Sequence, residues 1–491
     1  MEEIRFVDTT LRDGHQSLWA EGMLTGMILP IAESMDRAGF EAIELVAPSF
    51  FKKACREFKE DIWERIRLVR QRVTNTPLRG IRNRYMAGFQ VTPACASQLW
   101  LERLAANGIR ELRSSDPSNT AANWAHMVTS ANQVGVATII NLTFSESPKH
   151  TDDYYVTRAK QAAALQPARI CIKDPGALLT PERTRTLVPA VLGVAGAIPV
   201  EFHTHCITGL GALCCYEAIK LGIRSINTAI PPLANGSSNP SLFAVARNAR
   251  ALGYRTAIDE AVLESVEKHF NVIATREGFA PGQVREYDGY HYRHQVPGGM
   301  ISNFRFQLSK LGMSHRVGEV LEETARVREE LGYPIMVTPY SQFVGVQAAM
   351  NVILGERYKE VTDELIHYAL GTWGEEESSS IEATIKDKIL DRPRARELKH
   401  WQAPQPTLVE FRAKLGGAAI PDDELLLRYF AGQDDVERMK SAPPVRPYMS
   451  AQQPLVLLIQ ELSKKKNLRQ IVVERGALSI RFERGEKVGG L

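Results

Sequence analysis

No apolar run in this 491-residue chain is long enough to cross a bilayer; the longest, LVPAVLGVAGAIPV (187–200), falls short of the roughly 20 residues a spanning helix needs. The opening MEEIRFVDTT also lacks the basic and apolar regions of a secretion signal, so a cytoplasmic protein with no membrane span is expected. An excess of charge of either sign is missing too. Lys and Arg number 60 against 57 Asp and Glu, a formal net charge of +3, too even for a nucleic-acid or membrane-surface protein. A small molecule or another protein is the expected partner. Cysteines number six and form no C-x-x-C pair, which predicts reduced thiols rather than a disulfide framework. No glycine-rich phosphate loop follows the first apolar run, which argues against a dinucleotide fold. What is present is ordinary globular composition, 44% hydrophobic and 24% charged, enough at this length to bury a large core.

From residue 4 to about 252, short β-branched apolar runs alternate with stretches of helical period. Strands are expected at 4–8, 42–46, 78–82, 109–113, 137–144, 168–173, 199–203 and 225–230. Eight βα units in about 250 residues predict an α/β fold, a (β/α)8 TIM barrel over 1–254. After 255 the strands stop, and runs such as VGEVLEETARVREELG and VGVQAAMNVILG predict a helical C-terminal domain over 255–440. Two loops interrupt it, QVPGGMISNF (295–304) and VTPYSQ (337–342). Within 390–450, Pro and Arg are frequent, which predicts a loose connector with two short helices. The remainder, 441–491, predicts one helix and a hairpin of IVVE and LSIRFER turning through Arg475-Gly476-Ala477.

A βα barrel carries its site at the C-terminal ends of its strands. Asp8 closes the first strand, Lys173 the sixth and His203 the seventh, with His205 two residues on. Two His at i and i+2 project to one side, and with a carboxylate they make the N/O shell of Zn, Mn or Co. An ammonium among such ligands would repel the cation. Carbamylation by CO2 removes the objection, because it turns the Lys173 amine into an anionic oxygen ligand.

Five ordered motifs carry a family resemblance: DTTLRDGHQS (8–17), IKDPGALL (172–179), FHTH (202–205), VPGGMISN (296–303) and VTPYSQFVG (337–345). Over residues 4 to about 430 the chain resembles biotin-dependent carboxyltransferases. These are the carboxyltransferase domain of pyruvate carboxylase, the oxaloacetate decarboxylase alpha subunit and, most closely, the carboxyltransferase subunit of transcarboxylase. The resemblance implies a divalent metal and CO2 transfer between carboxybiotin and a carbonyl acceptor such as pyruvate or oxaloacetate. It implies Asp8, His203, His205 and carbamylated Lys173 as metal ligands, Gln16 as the glutamine that holds the keto acid, and Ser302 as the hydroxyl that shuttles a proton.

The acceptor pocket departs from the family. The family's L-R-G-x-N-x-x-G-Y supplies an arginine for the substrate carboxylate. Here LRG stands at 78–80, but an ungapped count back from Arg113 and Asp116 puts Arg82 at that position and Phe89 at the tyrosine. Arg84 adds a further cation, and Cys206 stands where the family has aspartate. These changes predict an acceptor bulkier or more anionic than pyruvate.

No A-M-K-M-like biotin-attachment lysine occurs, so biotin is expected on a separate biotin carboxyl carrier protein, alongside a biotin carboxylase subunit and a second copy of this chain as a dimer. The tail resembles the segment before a biotinyl domain. Two other functions compete. A metal-dependent aldolase, lyase or acyl-transferring synthase of the same barrel superfamily shares DTTLRDG and H-x-H but lacks the metal-site lysine and the P-G-G-x-x-S-N loop. A non-catalytic scaffold of a carboxylase complex would need no metal set.

Overall fold

The computed structural model describes residues 2–88, 91–310, 312–448 and, beyond these, 458, 462, 465, 468, 470–475 and 478–483. Each of the eight apolar runs forms a strand: β1 Glu3–Asp8, β2 Ala42–Val46, β3 Leu78–Arg82, β4 Ile109–Ser114, β5 Ala137–Thr143, β6 Arg169–Asp174, β7 Val200–Thr204 and β8 Ser225–Thr228. They pair in parallel in chain order, and β1 pairs with both β8 and β2, so the sheet closes into a barrel. A two-residue strand, β9 (Arg255–Thr256), adds to the start of β1.

Alternation along the strands decides what faces the lumen. Ile4, Phe6, Ile170, Ile172 and Phe202 face outward into the hydrophobic layer under the helices. The opposite phase carries charge. Near the bottom of the lumen Arg79 donates to Glu111 at 2.6 Å and to Glu201 at 2.9 Å, joining three strands. One layer higher, Glu44 accepts from Arg113 at 2.7 Å.

The helices of the outer ring start where the sequence provides caps. The Thr180 hydroxyl oxygen accepts from the Arg183 N–H, and Pro181 takes the first helical position, where no N–H is needed.

The helical region is shared between two cores. Val296, Phe304, Val327, Leu331, Phe343 and Leu365 belong to a second cluster that ends at Leu398. Helix Glu260–Glu277 instead buries Leu263, Val266 and Phe270 in the barrel core, and so do Phe411, Leu425 and Phe430. Phe430 stacks on Phe51 with ring centroids 4.9 Å apart, and Trp63 donates to the Asp423 carbonyl at 3.0 Å. The packing thus divides 255–440 rather than grouping it as one unit. Nor is 390–450 a loose connector: it forms helices Pro393–Leu398, Leu408–Lys414, Asp422–Ala431 and Gln433–Lys440. In the tail, β10 (Gln470–Arg475) and β11 (Leu478–Glu483) form the expected antiparallel hairpin. Among the described residues no helix is long and apolar enough to cross a membrane.

Candidate active site

The segment after β1 forms a wide helical turn, Thr10–Gly14. Asp8 does not reach the histidines. In register it pairs with Thr228 and Ile43, in the phase of Ile4 and Phe6, so it points away from the lumen. Its carboxylate receives the Thr10 hydroxyl at 2.5 Å, and burial lifts its pKa to about 7. The turn delivers Asp13 in its place. Asp13 Oδ2 lies 3.3 Å from Nε2 of both His203 and His205, and the two Nε2 atoms are 3.2 Å apart. Asp8, expected as a ligand, is therefore replaced in the cluster by Asp13.

The surroundings turn these three groups toward one another. His205 Nδ1 faces the Ser237 carbonyl at 2.7 Å; a carbonyl only accepts, so Nδ1 carries a hydrogen and Nε2 is the atom turned to the cluster. His203 Nδ1 lies 3.2 Å from Asn227 Oδ1, and its Nε2 faces the Asn239 amide nitrogen at 3.2 Å. Asn239 is held that way round because its oxygen accepts from the Thr9 hydroxyl at 2.7 Å. Burial, reinforced by Arg113, brings the His203 pKa down to about 3, so the ring is neutral. For Asp13, burial pushes upward but is outweighed by Arg12, whose guanidinium lies 2.9 Å away, together with His205 and His203, and the carboxyl stays well below the usual carboxylate range. Arg12 is itself anchored on Glu44 at 2.6 Å. Two imidazoles that present Nε2 and an ionised carboxylate, with ligand atoms all within 4.8 Å of one another, fit a divalent cation.

A cavity of about 610 Å³ opens above the cluster, with Asp13, His205, Lys173, Gln16 and Arg82 on its walls. Burial, with Arg113 and Arg12 nearby, lowers the Lys173 pKa to about 7. Gln16 donates to Glu21 at 3.2 Å, and Glu21 accepts also from Ser49 at 2.7 Å.

Arg82 is 3% exposed and donates to Ser97 Oγ at 2.6 Å, while its Nε and Nη1 have no hydrogen-bond partner among the described residues. Burial alone brings its pKa down to about 10. Arg79, the arginine of the LRG run, does not line this cavity and is held by Glu111 and Glu201 below it.

Arg84, expected to bind substrate, does not line the cavity either. Its guanidinium turns toward Asp116 at 3.6 Å and donates to the Trp373 carbonyl at 3.0 Å, which leaves it facing the helical unit. Phe89 lies outside the described residues. Ser302 belongs to helix Gly298–Lys310, and its side chain also lies outside the described residues. Pro297, just before that helix, lines the cavity.

Comparison with known proteins bears on the family and the fold. The HMGL-like family matches residues 3–269, and the family described as "Conserved carboxylase domain" matches 292–436. A pyruvate carboxylase subunit of Methanocaldococcus jannaschii is 35% identical over 390 residues, 79% of this chain and 68% of the relative. The chain belongs to the biotin-dependent carboxyltransferases. The methylmalonyl-CoA carboxyltransferase 5S subunit of Propionibacterium freudenreichii subsp. shermanii is 30% identical over 374 residues, 76% of this chain and 74% of the relative. The carboxyl transferase domain from Rhizobium etli pyruvate carboxylase shares the fold, with a TM-score of 0.80 at 22% identity, over 90% of this chain and 77% of that one. The chain is thus a carboxyltransferase-type enzyme, and it spans about two thirds to three quarters of the length of these two curated relatives.

Proposed function

We propose that this carboxyltransferase moves CO2 between carboxybiotin and a 2-keto acid, with pyruvate or oxaloacetate as the family's default. The observation that carries the reading is Arg82. A buried guanidinium with two nitrogens that have no partner among the described residues opens on the same cavity as Asp13, His205 and Lys173, which suits a planar carboxylate set beside a metal. Asp13, His203, His205 and carbamylated Lys173 would hold Zn, Mn or Co. The lowered pKa of Lys173 supports the carbamate, because the neutral amine is the form that reacts with CO2. The cation supplies charge to offset the negative charge that develops on the acceptor's carbonyl oxygen.

Arg82 fixes the acceptor's carboxylate and Gln16 its keto oxygen, which sets the methyl carbon in the cavity. In the carboxylation direction that carbon loses a proton and forms the new C–C bond as the N–C bond of carboxybiotin breaks. The Ser302 hydroxyl passes the proton to the biotin nitrogen. The match of 292–436 to the carboxylase family favours carboxyl transfer over the aldolase or lyase chemistry of related barrels.

Biotin arrives on a biotin carboxyl carrier protein, loaded by a biotin carboxylase subunit, and the chain works as a dimer in the cytoplasm. That the curated relatives are named as subunits supports such an assembly. The test is to supply carboxybiotin labelled in its carboxyl group to a panel of keto acids and acyl-CoAs. Label recovered in a keto acid supports the reading. Label released only as CO2, or moved only to an acyl-CoA, refutes it.

A further inference from the structure

Arg328, on helix Val317–Glu330, is 4% exposed and meets no carboxylate within ion-pair distance among the described residues. Burying a cation among neutral groups is unfavourable, and here it lowers the arginine's pKa to about 10. Its donors reach two separate segments. Nε donates to the Pro334 carbonyl at 3.2 Å, and Nη2 donates to Ser145 Oγ and to the Glu146 carbonyl, both at 3.0 Å. Ser145 passes its own hydrogen to Gln295 Oε1 at 3.3 Å, and Gln295 Nε2 returns one to the Glu146 carbonyl at 2.7 Å.

Ser145 and Glu146 follow β5 at the barrel mouth, and the Ser145 N–H is fixed by the Tyr155 hydroxyl at 2.8 Å. Gln295 stands two residues before Pro297, which lines the cavity, and Pro334 stands just before 336–338, which line it too. Gln295 has φ 52°, a left-handed backbone that a non-glycine residue keeps only where its surroundings impose it.

We propose that Arg328 is a positioning residue that ties the cavity-lining segments of the helical unit to the barrel mouth, 334–338 directly and 295–297 through Ser145, and so sets the helix that follows Pro297 at the cavity. The tie stands on the hydrogen bonds alone; its consequence for catalysis rests on the proposed carboxyl transfer.

The test uses the full chain with Arg328→Gln, Arg328→Lys and Ser145→Ala. By hydrogen exchange, Arg328→Gln should speed exchange by about 10-fold or more at 295–300 and 335–338 and leave the barrel strands protected. In transfer of labelled CO2, kcat should fall by about 100-fold, the scale of a small misplacement of reacting groups, with KM for the keto acid within about threefold because Arg82 and Gln16 stand on the barrel. Arg328→Lys should recover part of the rate. Ser145→Ala should shift both readouts in the same direction by less, and it decides the matter where Arg328→Gln fails to fold. Unchanged exchange in both segments, or a raised KM with kcat intact, overturns the proposal. If the wild type transfers no CO2, the proposed function falls while the exchange measurement still decides whether Arg328 is the tie.

Discussion

Asp13 Oδ2 lies 3.3 Å from His203 Nε2, on the lumen side of the barrel, whereas Asp8, five residues earlier, faces the helices. Asp13→Asn should therefore abolish the binding of about one metal ion per chain. Asp8→Asn should keep the metal and lower stability by about 1 to 2 kcal/mol, since it weakens the hydrogen bond to Thr10. Elemental analysis of both variants checks this, and metal lost only from Asp8→Asn would reverse the assignment.

The two arginines of β3 should separate cleanly. Arg82→Lys should raise KM for the keto acid by about 10-fold or more, because an ammonium cannot replace a planar two-pronged donor. Arg79→Met should leave KM alone and lower unfolding stability by about 3 to 5 kcal/mol, because Glu111 and Glu201 lose their buried partner. Steady-state kinetics with denaturant melts distinguishes the outcomes.

All eight barrel strands stand within a residue or two of the apolar runs, because β-branched runs between helical stretches leave few other ways to bury both faces. The choice of Arg82 over Arg79 follows from counting residues, and of the two it is Arg82 that lines the cavity. Asp13 is missed when the strand end alone is treated as the site. The alternation of Ile4, Phe6 and Asp8 against Glu201, His203 and His205 already carries the signal, since Asp8 shares its phase with the outward apolar residues. Arg84 is not legible, because its direction depends on Asp116 and on the Trp373 carbonyl far along the chain. The helices at 408–440 are obscured by surrounding proline and arginine, although Phe411, Leu425 and Phe430 give them an apolar face that only the barrel can cover.

Glu377 should leave a pH signature on stability. Burial, with Asp116 and Glu376 nearby, raises its pKa to about 7. The folded chain then holds this proton up to about pH 7, while the unfolded chain releases it near 4.5. Its contribution is fully present below about 4.5 and is lost as pH rises through 7. Glu377→Gln should thus stabilise the protein at pH 8 relative to wild type by about 3 to 4 kcal/mol, taking roughly 1.4 kcal/mol per pKa unit, and do little at pH 4.5. Melting curves of both proteins at the two pH values give the difference.

Ser302→Ala should keep the metal and the fold and reduce turnover by about 100-fold, the usual scale for losing a group that moves a proton. Circular dichroism, metal content and single-turnover rates together check this. Full retained activity would assign the proton to another group.

The most direct measurement follows labelled carboxyl from carboxybiotin into a 2-keto acid, in wild type and in Arg82→Lys, with metal content recorded for both. Label in the keto acid with wild type, and a sharply reduced rate at equal metal content with Arg82→Lys, is the expected result. Metal-loaded wild type that leaves every keto acid unlabelled would contradict carboxyl transfer at this site.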